Sequence, residues 1–203
     1  MDEYQFWLLD LDGTLLTVEE SYIQETIGAV GVALDRSFTD EEAVSIWYGR
    51  DGLRDDILEG YGIEPITFWD AFHRIESPID RAAATRLHPD AEVVTELEGP
   101  IGVVTHCQSY LVEPILKRLD IEDWFDTVVT CSDEIGWKPD PAPLRLAMDQ
   151  LRINGQSGAM VGDSIADIGA AKNAGVNGIL VDREASIPPI DADRVVTTLW
   201  ELR

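Results

Sequence analysis

The sequence predicts an α/β protein, a doubly wound parallel sheet with an all-helical subdomain inserted after the first strand. Three observations carry this expectation. Short β-branched runs alternate with helical stretches through the second half of the chain, as in sheets covered by helices on both faces. The block between the first and second strands, residues 17–86, is patterned as helix throughout. Each core strand ends in polar residues, which an open parallel sheet gathers outside its carboxyl edge.

Taken in order, the stretch FWLLDLDGTLLTVEE (6–20) runs from four apolar residues into Asp10 and Asp12, then Gly13 and Thr14. Burying one acid at the end of an apolar strand is costly and burying two is worse, so the pair asks for a chemical reason. Ile23, Ile27, Val30 and Leu34 then recur at spacings of 4, 3 and 4, a helical stripe. TDEEAVSIWYG offers Thr39 as N-cap with Glu42 three residues later, a capping-box pattern. Leu53, Ile57 and Tyr61, then Phe68, Phe72 and Ile75, supply two more stripes separated by GIEP. PIGVVTH, FDTVVTC, GAMVGD, NGILVD and DRVVTT read as strands buried on both faces. Between them SYLVEPILKRLD (109–120), APLRLAMDQL (142–151) and SIADIGAAKNAG (164–175) read as helices. The expected division is a core of residues 1–16 and 87–203 and a helical insert of residues 17–86.

The 203 residues carry 39 acids against 15 bases, a net charge of −24, with 3 Lys and 12 Arg. Such a field repels nucleic acid and anionic membrane, which sets both aside as partners. No apolar run approaches the ~18 residues of a membrane-spanning helix. The acidic opening MDEYQFW has no basic stretch followed by an apolar one, so no secretory signal is visible. Cys107 and Cys131 lie far apart without CxxC spacing and read as free buried thiols, so a cytoplasmic protein is expected. The excess of Asp and Glu over Lys resembles haloarchaeal proteins, for which salt shortens the screening length from ~10 Å at 0.1 M to ~3 Å at 1 M. Charge speaks to habitat and is silent on reaction, and the sequence leaves oligomeric state open.

The strand ends hold the chemistry. The first delivers Asp10 and Asp12, the second Thr105 and His106, the loop GWKPDP after the third Lys138, and the fourth Asp163 with Asp167 a helical turn on. A shuffled chain of this composition shows D-x-D-G-T roughly once in a hundred tries and G-D-x-x-x-D about once in five. Alone, Asp163 suits a helix N-cap, Lys138 a solvated amine and Thr105 a satisfied strand residue. Their succession, in order, at the ends of successive strands is what decides.

That succession resembles the haloacid dehalogenase superfamily, and within it the phosphatases of the phosphoglycolate phosphatase type. Asp10 to Thr14 matches its first motif, VVTH the second, KPDP the third and GDSIAD the fourth, and ILKRLDIEDWFDTVVTCSDEIGWKPDP is similar too. The resemblance covers nearly the whole chain and implies a Rossmann-like core with the helical insert as a mobile cap. It further implies a phosphomonoester hydrolase acting on a small phosphorylated metabolite, phosphoglycolate-like, through an aspartyl-phosphate. Asp10 is then the nucleophile and Asp12 the general acid and base. Lys138, Thr105 and the backbone N–H of His106 hold phosphoryl oxygens. Mg²⁺ is the implied cofactor, its ligands mapping to the Asp10 side chain, the Asp12 carbonyl and Asp163, with Asp167 binding or orienting its shell. Gly49, Arg50 and Arg54, in YGRDGLRDD, stand where relatives place substrate-facing residues, although both arginines also suit the local acids Asp51, Asp55 and Asp56. His106 departs from the family, which more often has Asn there.

Asp12 argues against C–halogen cleavage, since the dehalogenases lack it. All three lysines, Lys117, Lys138 and Lys172, lie outside 17–86, which removes the Schiff-base chemistry of phosphonatases. Sugar phosphomutases keep the same motifs and stand as the alternative. A phospho-accepting signalling module and a silent scaffold are further alternatives, separated from an enzyme by turnover.

Overall fold

The computed structural model describes residues 4–153, 157–183 and 191–203. In chain order the elements are β1 (Phe6–Leu9), β2 (Leu16–Val18), α1 (Glu20–Ala33), α2 (Asp40–Tyr48), α3 (Arg54–Gly60), α4 (Pro65–Ile75), α5 (Pro78–Ala84) and β3 (Thr85–Leu87). Then come β4 (Ile101–Thr105), α6 (Ser109–Leu119), β5 (Thr127–Thr130), α7 (Ala142–Gln150), β6 (Gly158–Gly162), α8 (Ile165–Ala174), β7 (Asn177–Val181) and β8 (Arg194–Val196). Six strands form one parallel sheet in the order β5-β4-β1-β6-β7-β8. The chain winds outward from β1 in both directions, so the switch point lies at the carboxyl end of β1, where Asp10 follows.

β1 shows why this sequence makes a central strand. Its alternate residues serve two cores: Phe6 and Leu8 pack with Leu144 and Ala147 of α7 and Ala170 and Ala171 of α8. Trp7 and Leu9 pack with Leu111, Val112 and Ile115 of α6 and with Leu199 and Leu202. Phe6, Leu8 and Leu9 are fully buried, and each such burial stabilises by about 1.5–3 kcal/mol. The outer strands depart from the expectation of two covered faces. Val128 on β5 is 37% exposed and Val195 on β8 is 54% exposed, because each lies at a sheet edge.

The five helices α1–α5 follow β2 and precede β3, and they enclose a third core built on Ile23, Ile27, Val30, Ile46, Trp47, Leu58 and Phe68. The capping box at α2 is formed: Thr39 Oγ1 accepts from the Glu42 N–H at 3.2 Å and Glu42 Oε2 accepts from the Thr39 N–H at 2.7 Å. Leu53 and Tyr61 flank α3 as its caps. The ends of the 17–86 block are strand, contrary to the helical reading. β2 and β3 pair antiparallel, Leu16 with Leu87 and Val18 with Thr85, so both crossings between core and helices are tied into one ribbon. A three-residue strand is too short for its period to register in the sequence. Among the described residues no helix is long and apolar enough to cross a membrane.

Candidate active site

Beyond β1 the chain turns at once. The Asp10 N–H donates to the Val161 carbonyl at 2.9 Å, which ties it to β6, and the N–H groups of Leu15 and Leu16 return to the Leu11 carbonyl. Gly13 sits at φ +87°, and a Cβ there would lie 2.0 Å from Asp163 Oδ2. Glycine is therefore required twice over, for the left-handed backbone and for the approach of the β6 loop. Thr14 is fully buried and its hydroxyl donates to Asp163 Oδ1 at 3.2 Å.

Lys138 crosses from the loop after β5 and spends all three ammonium hydrogens in the cluster. Its Nζ donates to Asp10 Oδ1 at 2.7 Å, to Asp167 Oδ1 at 2.6 Å and to the Val104 carbonyl at 2.9 Å. The other Asp167 oxygen closes a capping box at the start of α8, accepting from the Ser164 N–H at 3.1 Å and the Ser164 hydroxyl at 2.5 Å. One lysine thus faces three carboxylates, Asp10, Asp163 and Asp167, each with an oxygen within 4.8 Å of the others. Burial pushes the Asp10 carboxyl up to about 6, Asp167 and Asp12 adding to the rise and Lys138 opposing it. Burial, then Asp10 and Asp167, push Asp163 well above the usual carboxylate range. Burial would depress the Lys138 ammonium, but Asp10 and Asp167 outweigh it and raise it. A cluster of buried oxygens with excess negative charge fits a hard divalent cation, which carboxylates hold and which would relieve their repulsion.

Thr105 ends β4 fully inside, its Oγ1 accepting from the Cys107 N–H at 3.1 Å. The His106 ring meets Trp137 edge to face, centroids 5.6 Å apart, and its buried Nε2 has no hydrogen-bond partner. Burial, then Lys138, hold this imidazole neutral, well below its ordinary range.

Asp12 is held by a residue the sequence reading missed. Arg81, on α5 and 1% exposed, donates from Nη2 to both Asp12 oxygens, at 2.6 and 2.5 Å. Its Nε lies 3.7 Å from Glu76 Oε1 and its guanidinium sits over the Trp47 ring, 4.6 Å from the centroid. Burial lifts Glu76 to about 7 against the pull of Arg81. The one trace in sequence is an arginine followed by three alanines, which reads as an ordinary helix. A second missed support lies behind the turn. Arg183, after β7, donates to the Thr14 carbonyl at 2.9 Å and to both oxygens of Asp90. Asp90 also accepts from the Thr198 hydroxyl and the Leu199 N–H, at 2.6 and 2.7 Å. Burial opposes its ionisation, but Arg183 and these donors prevail and hold it at about 2.

A cavity of about 670 Å³ separates the helical block from the sheet edge, with Asp12, Lys138 and His106 on its core side. Gly49, the left-handed cap of α2, and Arg54 line it from the helices. Arg50 does not join them. It lines a smaller pocket with Gly13, Asp163 and Asp182, its guanidinium 5.6 Å from the Tyr48 ring centroid.

Known proteins resemble this chain in sequence and in fold. The family described as haloacid dehalogenase-like hydrolase matches residues 7–175. A phosphoglycolate phosphatase of Pectobacterium atrosepticum is 29% identical over 189 residues, covering 84% of this chain and 76% of its own. The pyrophosphatase PpaX of Halalkalibacterium halodurans is 30% identical over 217 residues, covering 96% of this chain and 93% of its own. A haloacid dehalogenase-like family hydrolase from Streptococcus pneumoniae, 16% identical, superposes with a TM-score of 0.79 over 100% of this chain and 98% of its own, a likeness of fold.

Proposed function

The chain belongs to the haloacid dehalogenase-like hydrolases, and we propose that it is a magnesium-dependent phosphatase that releases phosphate from a small phosphorylated metabolite through an aspartyl-phosphate on Asp10. The observation that carries this reading is the placement of Asp10 at the switch point, its Oδ1 2.7 Å from Lys138 Nζ and its carboxylate grouped with Asp163 and Asp167. Asp10 attacks phosphorus as the bond to the leaving oxygen breaks. Asp12 gives that oxygen a proton, then takes one from the water that attacks the acyl phosphate, a role worth about 10²–10⁴ in rate. Lys138 lowers the cost of bringing a phosphate dianion to an aspartate, about 4 kcal/mol for each pair of like charges 4 Å apart at an effective dielectric near 20. Thr105 and the N–H of His106 orient phosphoryl oxygens.

Mg²⁺ held by the Asp10 side chain, the Asp12 carbonyl and Asp163 would supply the remaining charge neutralisation. Asp167 serves as a positioning residue in this reading, since Lys138 and Ser164 already engage both of its oxygens. Residues 17–86 act as the cap, with Gly49 and Arg54 facing the substrate, and the buried free thiols of Cys107 and Cys131 suit a cytoplasmic setting. Phosphoglycolate and pyrophosphate are the first compounds to assay.

The test is phosphate release in molar KCl, with Mg²⁺ or with chelator, for the wild type and Asp10→Asn. Release that needs both Mg²⁺ and Asp10 supports the reading. Release that persists in Asp10→Asn sinks it.

A further inference from the structure

The cavity is larger than a two-carbon leaving group needs; at about 670 Å³ it lies within the ~300–1,000 Å³ of sites that enclose drug-sized ligands. Its walls are aromatic: Trp47, Trp69 and Phe72 from the helical block and Trp137 from the loop that carries Lys138. The two half-buried indoles are pinned. Trp69 Nε1 donates to Asp55 Oδ1 and Trp137 Nε1 to Asp133 Oδ1, both at 2.8 Å. With those N–H groups engaged, what the rings offer a ligand is their carbon surface. Phe72 meets Trp47 and Trp69 edge to face, with centroids 5.5 and 5.6 Å apart, so the aromatic wall is continuous on the helical side.

Most charges of the lining already have partners. Arg81 is paired with Asp12 and Glu76, Lys138 with Asp10 and Asp167, and Asp70 with Arg74. Burial keeps the imidazoles of His73 and His106 shifted toward the neutral form. Arg54, its guanidinium 6.0 Å from the Trp69 ring centroid, is the remaining cation among the lining residues. A leaving group bearing a carboxylate or a second phosphate would find only Arg54 here to offset its desolvation, whereas an apolar face would find three aromatic side chains.

We propose that the leaving group of the substrate is uncharged and presents a flat apolar face to Trp69, Phe72 and Trp137. This rests on the phosphatase reading and narrows it. Phosphoglycolate and pyrophosphate, the compounds in the names of the relatives, are then poor substrates.

The experiment compares kcat/KM for benzyl phosphate, propyl phosphate, phosphocholine and 2-phosphoglycolate, with Mg²⁺ in molar KCl. All four leave a primary alkoxide, so differences report on the cavity. Benzyl phosphate is expected to exceed propyl phosphate by about tenfold, the scale of one well-placed aromatic contact, and to exceed phosphoglycolate by more. Trp69→Ala and, separately, Phe72→Leu should each lower the benzyl-to-propyl ratio. A ratio at or below one, or a preference for phosphoglycolate or phosphocholine, overturns the inference. If none of the four is hydrolysed, calorimetry with benzylphosphonate and propylphosphonate decides. Tighter binding of the benzyl compound upholds the cavity's preference while the phosphatase reading falls, and equal binding removes both.

Discussion

Asp12 and Arg81 are 69 positions apart, yet both Asp12 oxygens rest on one guanidinium nitrogen. Asp10, Asp12, Lys138 and Asp163 were legible in the sequence because each follows a strand whose end the pattern marks. Arg81 and Arg183 were not, because nothing local identifies a partner that distant folding supplies. Replacing Arg81 by Met should lower kcat about 10- to 100-fold, within the range of a misplaced proton-transfer group. It should also destabilise by about 3 kcal/mol, since the buried Glu76 and the partly buried Asp12 lose their shared partner. Arg81→Lys, which keeps the charge and loses the planar fork, should recover more of the stability than of kcat; steady-state kinetics with thermal melts reads both. His88 gives a separate acid-side prediction. Burial, then Arg183, push its imidazole down to about 4. The unfolded ring binds its proton near ~6.5, so between pH ~6.5 and about 4 the contribution of His88 to stability falls as pH drops, opposite in sign to that of the raised Asp10 and Glu76 carboxyls. His88→Gln should therefore lose less melting temperature, or gain more, than the wild type as pH falls through that window. Below ~3.9 the loss continues through Asp90, whose folded carboxyl is held at about 2.

The elements legible in sequence are those long enough to show a period. The stripe Ile23, Ile27 and Val30 lies along the buried side of α1, and the Thr39–Glu42 signature became a capping box. What escaped was short or set by neighbours: the ribbon of β2 and β3, and the exposure of β5 and β8 at the sheet edges. The ribbon matters because it joins the helices to the turn that carries Asp10 and Asp12. Within the helices, Thr39→Ala removes the N-cap of α2 at a cost of about 1 kcal/mol. Melting should then fall by about 2–4 °C with phosphate release at moderate temperature retained, since Thr39 lies outside the cavity lining. An unchanged melting temperature would mean that α2 does not depend on its cap.

At the scale of the whole molecule, a parallel sheet with its polar strand ends gathered at one edge follows from the alternation of strands and helices, which the sequence displays; that the switch point falls at Asp10 comes from the strand order. The cavity's shape and lining do not follow, because they depend on how the helices α1–α5 stand over the sheet. The net charge of −24 carries its own prediction. Raising KCl from about 0.1 M to about 1 M shortens the screening length about threefold and weakens self-repulsion, so the melting temperature should rise with salt. A melting temperature indifferent to KCl would remove the adaptation to high salt that the composition suggests. The central claim is covalent chemistry at one carboxylate, and the most direct measurement is acid quench of the working enzyme with Mg²⁺ and a hydrolysed phosphomonoester, followed by mass spectrometry of its peptides. The expected result is a transient phosphoryl group on Asp10, present during turnover and absent with chelator or in Asp10→Asn. Steady phosphate release with no label on Asp10 would contradict the account.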